Sequence, residues 1–234
     1  MKDYRDKICV ALDVPILKHA EELVLLLSEF VGYFKIGFEL FTSEGPTVVK
    51  SVLDNGGKVF LDLKYHDIPN TVAGGIRSAE TLGCSFINLH AIGGSEMMKA
   101  AVNAFGQNEV RPKLLAVTVL TSVDEKILKE DLLLNIPLPD YVVHLAKLAK
   151  KSGVDGAIAS PQEIKIIREA CGKDFFILTP GVRPEWASKG DQKRVMTPKE
   201  AFENGADMVV IGRPITKADD PKKAAEKILN EIED

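Results

Sequence analysis

The chain has 234 residues, of which 45% are hydrophobic and 27% charged, a composition typical of a globular protein with one substantial core. The formal net charge is -4 at pH 7 and the lysines are scattered along the chain, which argues against a nucleic-acid-binding surface. The 3 cysteines form no CxxC pair, so the sequence favours buried free thiols over a disulfide framework or a zinc site.

Neither a membrane span nor a secretory signal is predicted from the sequence. No apolar run approaches the roughly 18 residues that a helix needs to cross a bilayer. The opening residues, MKDYRDKICVALDV, lack the long apolar segment of a secretory signal. We therefore expect a soluble, cytoplasmic protein with no membrane partner.

Short apolar runs rich in β-forming residues recur along the chain and predict strands. Eight such runs are present: ICVALDV (8–14), YFKIGF (33–38), KVFLDLK (58–64), FINLH (86–90), KLLAVTVL (113–120), GAIAS (156–160), FFILTP (175–180) and MVVIGR (208–213). Continuous apolar strands are typical of parallel sheets that are covered on both faces.

The segments between these runs predict helices. KHAEELVLLLSEF and YVVHLAKLAKKSG, for example, carry apolar residues at helical spacing. SPQE at 160–163 and TPKE at 197–200 each offer a hydroxyl N-cap, a proline and a glutamate that mark a helix start. Eight strand and helix units in a chain near the usual ~250 residues predict an α/β fold, a (β/α)8 TIM barrel that forms a single domain over residues 1–234.

An open doubly wound sheet is the alternative architecture. No glycine-rich turn follows the first strand, so a dinucleotide-binding version of that fold is not supported.

Two connections are unusually long. GVRPEWASKGDQKR at 181–194 is predicted to be a functional lid loop, and residues 122–139 are predicted to contain an extra helix at about 125–133.

Polar residues gather at the predicted strand ends, where a barrel of this type places its active site. They are Asp13, Asp62, Lys64, His90, Thr118, Thr121, Ser160 and Arg213, and Lys35 lies within the second strand. Several of them also have a purely structural interpretation. Asp13 and Ser160 are placed to cap helices, His90 to be a hydrogen-bonded structural residue, and Arg213 to pair with Asp219 or Asp220. Lys35 has no such interpretation, because a lysine in a short apolar strand is rarely buried without a partner.

The stretch FLDLKYHDIPNTV at 60–72 ends a buried strand with three charges. Alternation along the strand places Asp62 and Lys64 on one face, predicted to be the barrel interior, and Asp67 follows in the turn. With Lys35 nearby, two ammonium and two carboxylate groups would form an alternating set, and such pairing makes their burial tolerable.

Flanking carboxylates favour the ammonium form of Lys64, whereas a Schiff-base lysine needs the neutral amine. Lys64 is therefore better suited to donate a proton and to stabilise negative charge than to act as an amine nucleophile. The alternative is an ion network that only closes the barrel, since such networks also occur without catalysis.

Seven segments match known motifs in the same order along the chain. They are ALDV (11–14), FKIG (34–37), DLKYHDIPNT (62–71), TVLTS (118–122), TPGVRP (179–184), DQKR (191–194) and IGRPI (211–215). The third resembles the DxKxxDIPxT signature of the orotidine 5'-phosphate decarboxylase family, and the other six resemble that family's remaining motifs. The resemblance covers nearly the whole chain.

The resemblance implies roles for particular residues within these motifs. Asp13 and Lys35 would bind the ribose hydroxyls, and Asp62 and Lys64 would flank the substrate carboxylate. Asp67 and Thr71 would reach into the active site of a second subunit. The remaining roles are implied in the same way: Thr121 near the pyrimidine, Arg183, Gly212 and Arg213 at the phosphate, and Gln192 between phosphate and base.

The family resemblance also implies a homodimer with composite active sites that uses neither a metal nor an organic cofactor. The reaction would convert orotidine 5'-phosphate to UMP and carbon dioxide, the final step of de novo pyrimidine nucleotide synthesis. Lys64 would stabilise the ring carbanion and then protonate it, with Lys35, Asp62 and Asp67 completing the catalytic set.

Two rival functions share part of this pattern. A magnesium-dependent β-keto acid sugar-phosphate decarboxylase or a hexulose-phosphate synthase resembles the chain at 62–67, but the 181–194 segment and Lys35 favour the nucleotide enzyme. A non-catalytic nucleotide-binding barrel would be expected to lack Lys64 or Asp62, and both are present.

Overall fold

The computed structural model describes residues 4–106, 111–187 and 196–233. Within them, eight strands form one closed parallel barrel in the order of the chain, and β8 pairs with β1. The strands are β1 (Ile8–Ala11), β2 (Tyr33–Ile36), β3 (Lys58–Tyr65), β4 (Phe86–His90), β5 (Lys113–Val117), β6 (Gly156–Ile158), β7 (Phe176–Pro180) and β8 (Met208–Ile211). The predicted (β/α)8 barrel is confirmed.

Helices follow the strands and cover the outside of the barrel. In the described segments they are α1 (Leu17–Leu27), α2 (Phe38–Glu44), α3 (Thr47–Asp54), α4 (Pro69–Glu80), α5 (Gly94–Val102), α6 (Glu125–Glu130), α7 (Leu138–Lys151), α8 (Ile164–Cys171), α9 (Pro198–Glu203), α10 (Arg213–Thr216) and α11 (Pro221–Glu233). Short 3-10 turns occupy Tyr4–Lys7, Ala91–Gly93 and Pro161–Glu163. None of the helices in these segments is both long enough and apolar enough to cross a bilayer.

The helix starts follow the local sequence signals. Ser160 and Thr197 each begin a capping box, in which the glutamate three residues on accepts a hydrogen bond from the backbone N–H of the cap residue. The cap interpretation of Ser160 is therefore confirmed.

The predicted extra helix begins at Glu125, behind an Asp124 cap, but ends at Glu130 rather than near residue 133. Leu133 has a positive φ of 55°, a conformation that an α-helix does not continue through.

Both faces of the barrel wall are buried, which explains why the strands are continuously apolar. The larger core lies between the strands and the helices. The smaller core fills the barrel interior and includes Phe60, Phe86, Leu115, Leu178 and Met208. The rings of Tyr33, Phe60 and Phe176 all pack against Phe86, with centroid distances of 5.2, 6.2 and 5.3 Å. These side chains form an apolar floor below the charged residues at the other end of the barrel.

Two arginine and aspartate clamps stabilise the amino-terminal ends of the later strands. Arg111 binds Asp155 through two hydrogen bonds of 2.7 and 2.9 Å, and Asp155 also accepts the backbone N–H of Leu114 at the start of β5. Arg168 binds Asp207 at 2.6 Å, and Asp207 accepts the N–H of Ile177 in β7. Each aspartate thus joins the loop before one strand to the strand beside it.

We predict that Asp155→Ala lowers the free energy of unfolding by about 2 kcal/mol, because it removes charge-assisted hydrogen bonds and leaves a backbone N–H unpaired. Urea unfolding at neutral pH measures the change. The control is Glu96→Ala, which breaks an exposed 3.3 Å pair with Lys99 and is expected to cost less than about 1 kcal/mol. Equal effects for the two variants would contradict a structural role for the clamp.

Candidate active site

Four charged side chains form an alternating chain at the carboxyl end of the barrel. Nζ of Lys35 lies 3.0 Å from Oδ1 of Asp13 and 3.3 Å from Oδ2 of Asp62. Nζ of Lys64 lies 2.6 Å from Oδ1 of Asp62. Each inner member of the chain is therefore flanked by two groups of opposite charge, and Asp62 is 7% exposed. Such pairing makes the burial of these charges tolerable.

The charge state of Lys35 follows from these contacts. Burial alone would lower its pKa, but the carboxylates of Asp62 and Asp13 act in the opposite direction and raise the Lys35 pKa above the ordinary 10.5. Lys35 is therefore a fixed cation at neutral pH. It keeps Asp62 paired from one side while Lys64 pairs it from the other.

The four side chains that form the charged chain differ from the predicted four in one residue. The fourth member is Asp13, which follows β1, and not Asp67. Within the described residues Asp67 makes no ion pair, and its Oδ1 accepts the N–H of Ile68 at 2.6 Å. The helix-cap interpretation of Asp13 is wrong, since α1 begins after Ile16 and has no side-chain cap.

The backbone at Lys64 is irregular. Leu61 pairs with Ile87 and Tyr65 pairs with Leu89, so that three residues of β3 face one residue of β4 between these pairs. Lys64 has a positive φ of 46°, a left-handed conformation that costs a non-glycine residue about 1–2 kcal/mol. Strained backbone of this kind persists only where surrounding contacts fix it.

Asn88 was not predicted, and it contacts both catalytic candidates on β3. Its Oδ1 accepts the backbone N–H of Lys64 at 2.7 Å, and its Nδ2 donates to Oδ1 of Asp62 at 2.6 Å. Asn88 is 0% exposed. The sequence signal was a polar residue inside the apolar run FINLH, two positions before His90.

Phe38 is a second residue that sequence reasoning missed. It starts α2 directly after β2, and Nζ of Lys64 lies 5.3 Å from the centroid of its ring. This distance is within the range of a cation–π contact. Phe38 is 57% exposed, so this contact lies on the solvent side of the ammonium group.

A cavity of about 210 Å³ lies beside the charged chain. Lys35, Asp62 and Lys64 form its polar side, and Thr121 lies at its rim. The remaining lining residues are mainly apolar: Phe60, Val117, Val119, Leu120, Ile158, Ala159, Leu178, Pro180 and Val210. Thr118, which was also predicted at this strand end, does not line the cavity. Its hydroxyl donates to the carbonyl of Ile158 at 3.2 Å, which is a structural role.

A second cavity, of about 430 Å³, follows β7 and β8 and carries the basic residues predicted for a phosphate site. Arg183, Arg213 and Lys217 line it together with Trp186. Arg183 is 6% exposed, and its N–H donates to the carbonyl of Met196 at 3.0 Å. Both cavities are lined by residues at or just after the carboxyl ends of β7 and β8, the first by Pro180 and Val210 and the second by Arg183 and Arg213. Gly212 lies near the charged chain, because a Cβ added to it would be 3.8 Å from Oδ2 of Asp13.

Residues of the predicted shared site lie on the surface beside the barrel mouth. His66, Asp67 and Thr71 are exposed, and Ile68 between them is 68% exposed although it is apolar. The predicted lid is described only over residues 181–187, and Gln192 lies outside the described residues. Among the residues that the structure describes, no group of three or more histidine, cysteine, aspartate or glutamate side chains is arranged to hold a metal ion.

His90 lies at the end of β4 near this site, with its ring centroid 5.6 Å from that of His66. Burial lowers the pKa of His90 below the ordinary 6.5, and the nearby charges of His66 and Lys64 lower it further against the opposite effect of Asp62. His90 is therefore neutral at pH 7 and adds no charge to the cavity.

Comparisons with known proteins show what the chain as a whole is similar to. A family model described as "Orotidine 5'-phosphate decarboxylase / HUMPS family" matches residues 6–228. A protein of Trichlorobacter lovleyi named orotidine 5'-phosphate decarboxylase is 56% identical over 232 residues, which cover 97% of this chain and 95% of that protein. A protein of the same name from Geotalea daltonii is 54% identical over 231 residues, covering 97% and 96%.

Solved structures show the same relationship. The crystal structure of orotidine 5'-phosphate decarboxylase from Lactobacillus acidophilus has a TM-score of 0.86 and 41% sequence identity, and the match covers 98% of this chain and 100% of that chain. An uncharacterized conserved protein from Geobacillus kaustophilus has a TM-score of 0.85 and 37% identity over 96% of this chain and 99% of that chain.

We predict that NMR titration will give His90 a pKa below 6.5, and that His66→Asn will raise this pKa by removing a repulsive charge. His19→Asn, on α1, is the control and should leave the His90 pKa unchanged. The pKa of His90 is lower in the folded protein than in the unfolded chain, so the unfolded chain binds the proton more readily as the pH falls. His90 therefore lowers the free energy of unfolding at acidic pH. A His90 pKa of 6.5 or higher, or no response to His66→Asn, would contradict the assignment.

Proposed function

Because the chain belongs to the orotidine 5'-phosphate decarboxylase / HUMPS family, we propose that it is a carboxy-lyase that converts orotidine 5'-phosphate to UMP and carbon dioxide in pyrimidine nucleotide synthesis. The observation that carries this proposal is the position of Lys64. Its ammonium group ends a chain of paired charges and faces a mainly apolar cavity next to a basic one.

The reaction needs a fixed cation. When carbon dioxide leaves, the electron pair of the broken carbon–carbon bond stays on the ring carbon, in the plane of the ring, where the π system delocalises it poorly. The uncatalysed barrier is therefore very high, and the enzyme must work in the upper part of the usual ~8–23 kcal/mol range of barrier lowering. A cation held at that carbon stabilises the developing charge in a site with little water.

Lys64 supplies this cation and then the proton. As the carbon–carbon bond breaks, the Nζ ammonium stabilises the carbanion, and one of its protons then bonds to the same carbon to give UMP. The amine that remains is reprotonated from solvent after product release. Asp62 holds the ammonium group in place through the 2.6 Å contact and lies beside the departing carboxylate, and Lys35 balances the charge of Asp62.

We assign the rest of the nucleotide to the two cavities. Asp13 and Lys35 bind the ribose hydroxyls between the cavities, and the pyrimidine enters the apolar cavity beside Thr121. The phosphate binds in the basic cavity with Arg183, Arg213 and the backbone at Gly212. Binding energy from the remote phosphate is available to position the pyrimidine for reaction. The expected lid over 181–194 and the expected role of Gln192 extend beyond the described residues.

The proposal includes a homodimer. Asp67 and Thr71 do not line the cavity beside Lys64, and the exposed Ile68 between them gives this surface apolar area to bury. In a dimer that pairs these surfaces, Asp67 and Thr71 of each chain complete the active site of the other. The cofactor-free reaction and the cytoplasmic location also stay predictions.

We predict that Lys64→Ala lowers kcat by about 10⁴-fold or more, since it removes both charge stabilisation and the proton donor, while UMP binding changes by less than about tenfold. The decrease in orotidine 5'-phosphate absorbance measures turnover, with a chelator present throughout. Lys223→Ala, an exposed lysine on α11, is the control and should match the wild type. Near-normal turnover by Lys64→Ala would contradict the mechanism, and loss of wild-type activity with chelator would favour the magnesium-dependent rival.

We also predict that two inactive variants complement each other. When Lys64→Ala and Asp67→Ala chains are mixed, half of the dimers are mixed dimers, and each carries one site with both residues intact. The mixture should recover about one quarter of wild-type activity after subunit exchange. Native mass spectrometry confirms the mixing. If mixed dimers form and no activity returns, Asp67 does not act in the site of the other subunit.

A further inference from the structure

Asn88 is a buried polar residue in the wall of the barrel and lines neither cavity. It lies in β4 between Phe86 and His90, and its side chain is 0% exposed. An amide buried this deeply must have its hydrogen-bonding groups satisfied. Its two hydrogen bonds are made with Lys64 and Asp62, which are proposed to take part in the reaction.

The first contact replaces a missing bond of the sheet. Between the pairs Leu61 with Ile87 and Tyr65 with Leu89, β3 has three residues and β4 has only Asn88. The N–H of Lys64 therefore has no regular partner in the neighbouring strand, and Oδ1 of Asn88 accepts it at 2.7 Å. This bond holds the backbone at the position where Lys64 adopts its left-handed φ of 46°.

The second contact reaches the carboxylate that orients the Lys64 side chain. Nδ2 of Asn88 donates to Oδ1 of Asp62 at 2.6 Å, and the same oxygen accepts from Nζ of Lys64 at 2.6 Å. Only one orientation of the amide satisfies both partners. The reverse orientation would place an NH₂ group against the N–H of Lys64 and an oxygen against a carboxylate.

We propose that Asn88 is a positioning residue that sets the place of the Lys64 ammonium from both ends, through the backbone of Lys64 and through Asp62. The inference rests on the proposed decarboxylase function and deepens it. Because the amide links β4 to the irregular part of β3, its loss lets the Lys64 backbone relax and leaves Asp62 with one donor fewer. Displacements of about 1 Å at a reacting group are enough to lower turnover strongly.

The test compares Asn88→Ala and Asn88→Asp with the wild type. Asn88→Ala removes both hydrogen bonds and should lower kcat about 10- to 100-fold, since a misplacement of about 1 Å at a reacting group can cost about 100-fold. The affinity for UMP should change less than about threefold, because Asn88 does not line either cavity. Thr179→Val is the matched control, since this β7 hydroxyl is buried and has no hydrogen-bond partner among the described residues, and it should leave kcat unchanged.

Asn88→Asp separates positioning from folding. The introduced carboxyl group accepts the Lys64 N–H in either protonation state, but it donates to Asp62 only when it is protonated. Its kcat should therefore exceed that of Asn88→Ala at low pH and fall as the pH rises through an ionisation that the wild type lacks. A purely structural role would lower the melting temperature and leave kcat, per molecule that binds UMP, unchanged at every pH.

The possible results lead to distinct conclusions. Wild-type kcat in Asn88→Ala, or a pH profile of Asn88→Asp identical to that of the wild type, would overturn the positioning role while leaving the proposed function intact. A folded wild-type protein that does not consume orotidine 5'-phosphate would overturn both. If Asn88→Ala fails to fold, the pH profile of the nearly isosteric Asn88→Asp decides the matter alone.

Discussion

The site depends on the pairing of opposite charges at the mouth of an apolar barrel. An isolated ammonium or carboxylate group at the position of Lys35 or Asp62 would be too costly to desolvate, and the alternating order from Asp13 to Lys64 offsets that cost. The same order leaves the ammonium of Lys64 at one end of the chain of charges, facing the cavity. A cation held in this way needs little reorganisation when negative charge develops beside it, which is the condition for electrostatic catalysis.

The rest of the barrel makes this arrangement possible. The rings packed around Phe86 fill the interior below the charges, so that the charged groups lie at the open end and not in the centre. The aspartate clamps before β6 and β8 stabilise the opposite end of the barrel, away from the site. The irregular pairing of β3 with β4 then places Lys64 in a conformation that a regular strand does not adopt, with Asn88 filling the gap in hydrogen bonding.

The architecture and most of the site followed from local sequence patterns. Eight apolar runs gave the eight strands, and the capping sequences at Ser160 and Thr197 gave helix starts at the expected residues. Alternation placed Asp62 and Lys64 on the same face. It gave no sign of the two extra residues in β3, because a register shift depends on the neighbouring strand. For the same reason Asn88 was missed. Asp13 takes the place expected for Asp67 because the parallel pairing of β1 with β2 brings the end of β1 beside Lys35.

The position of the Lys64 ammonium relative to a bound nucleotide tests the central claim most directly. A crystal structure of the protein with UMP measures the distance from Nζ of Lys64 to the ring carbon that carried the carboxylate in the substrate. The account predicts about 3–3.5 Å, the separation of groups poised to react, with Asp62 still bound to Lys64. A Lys64 side chain turned away from the pyrimidine, or a nucleotide bound outside the two cavities, would contradict it.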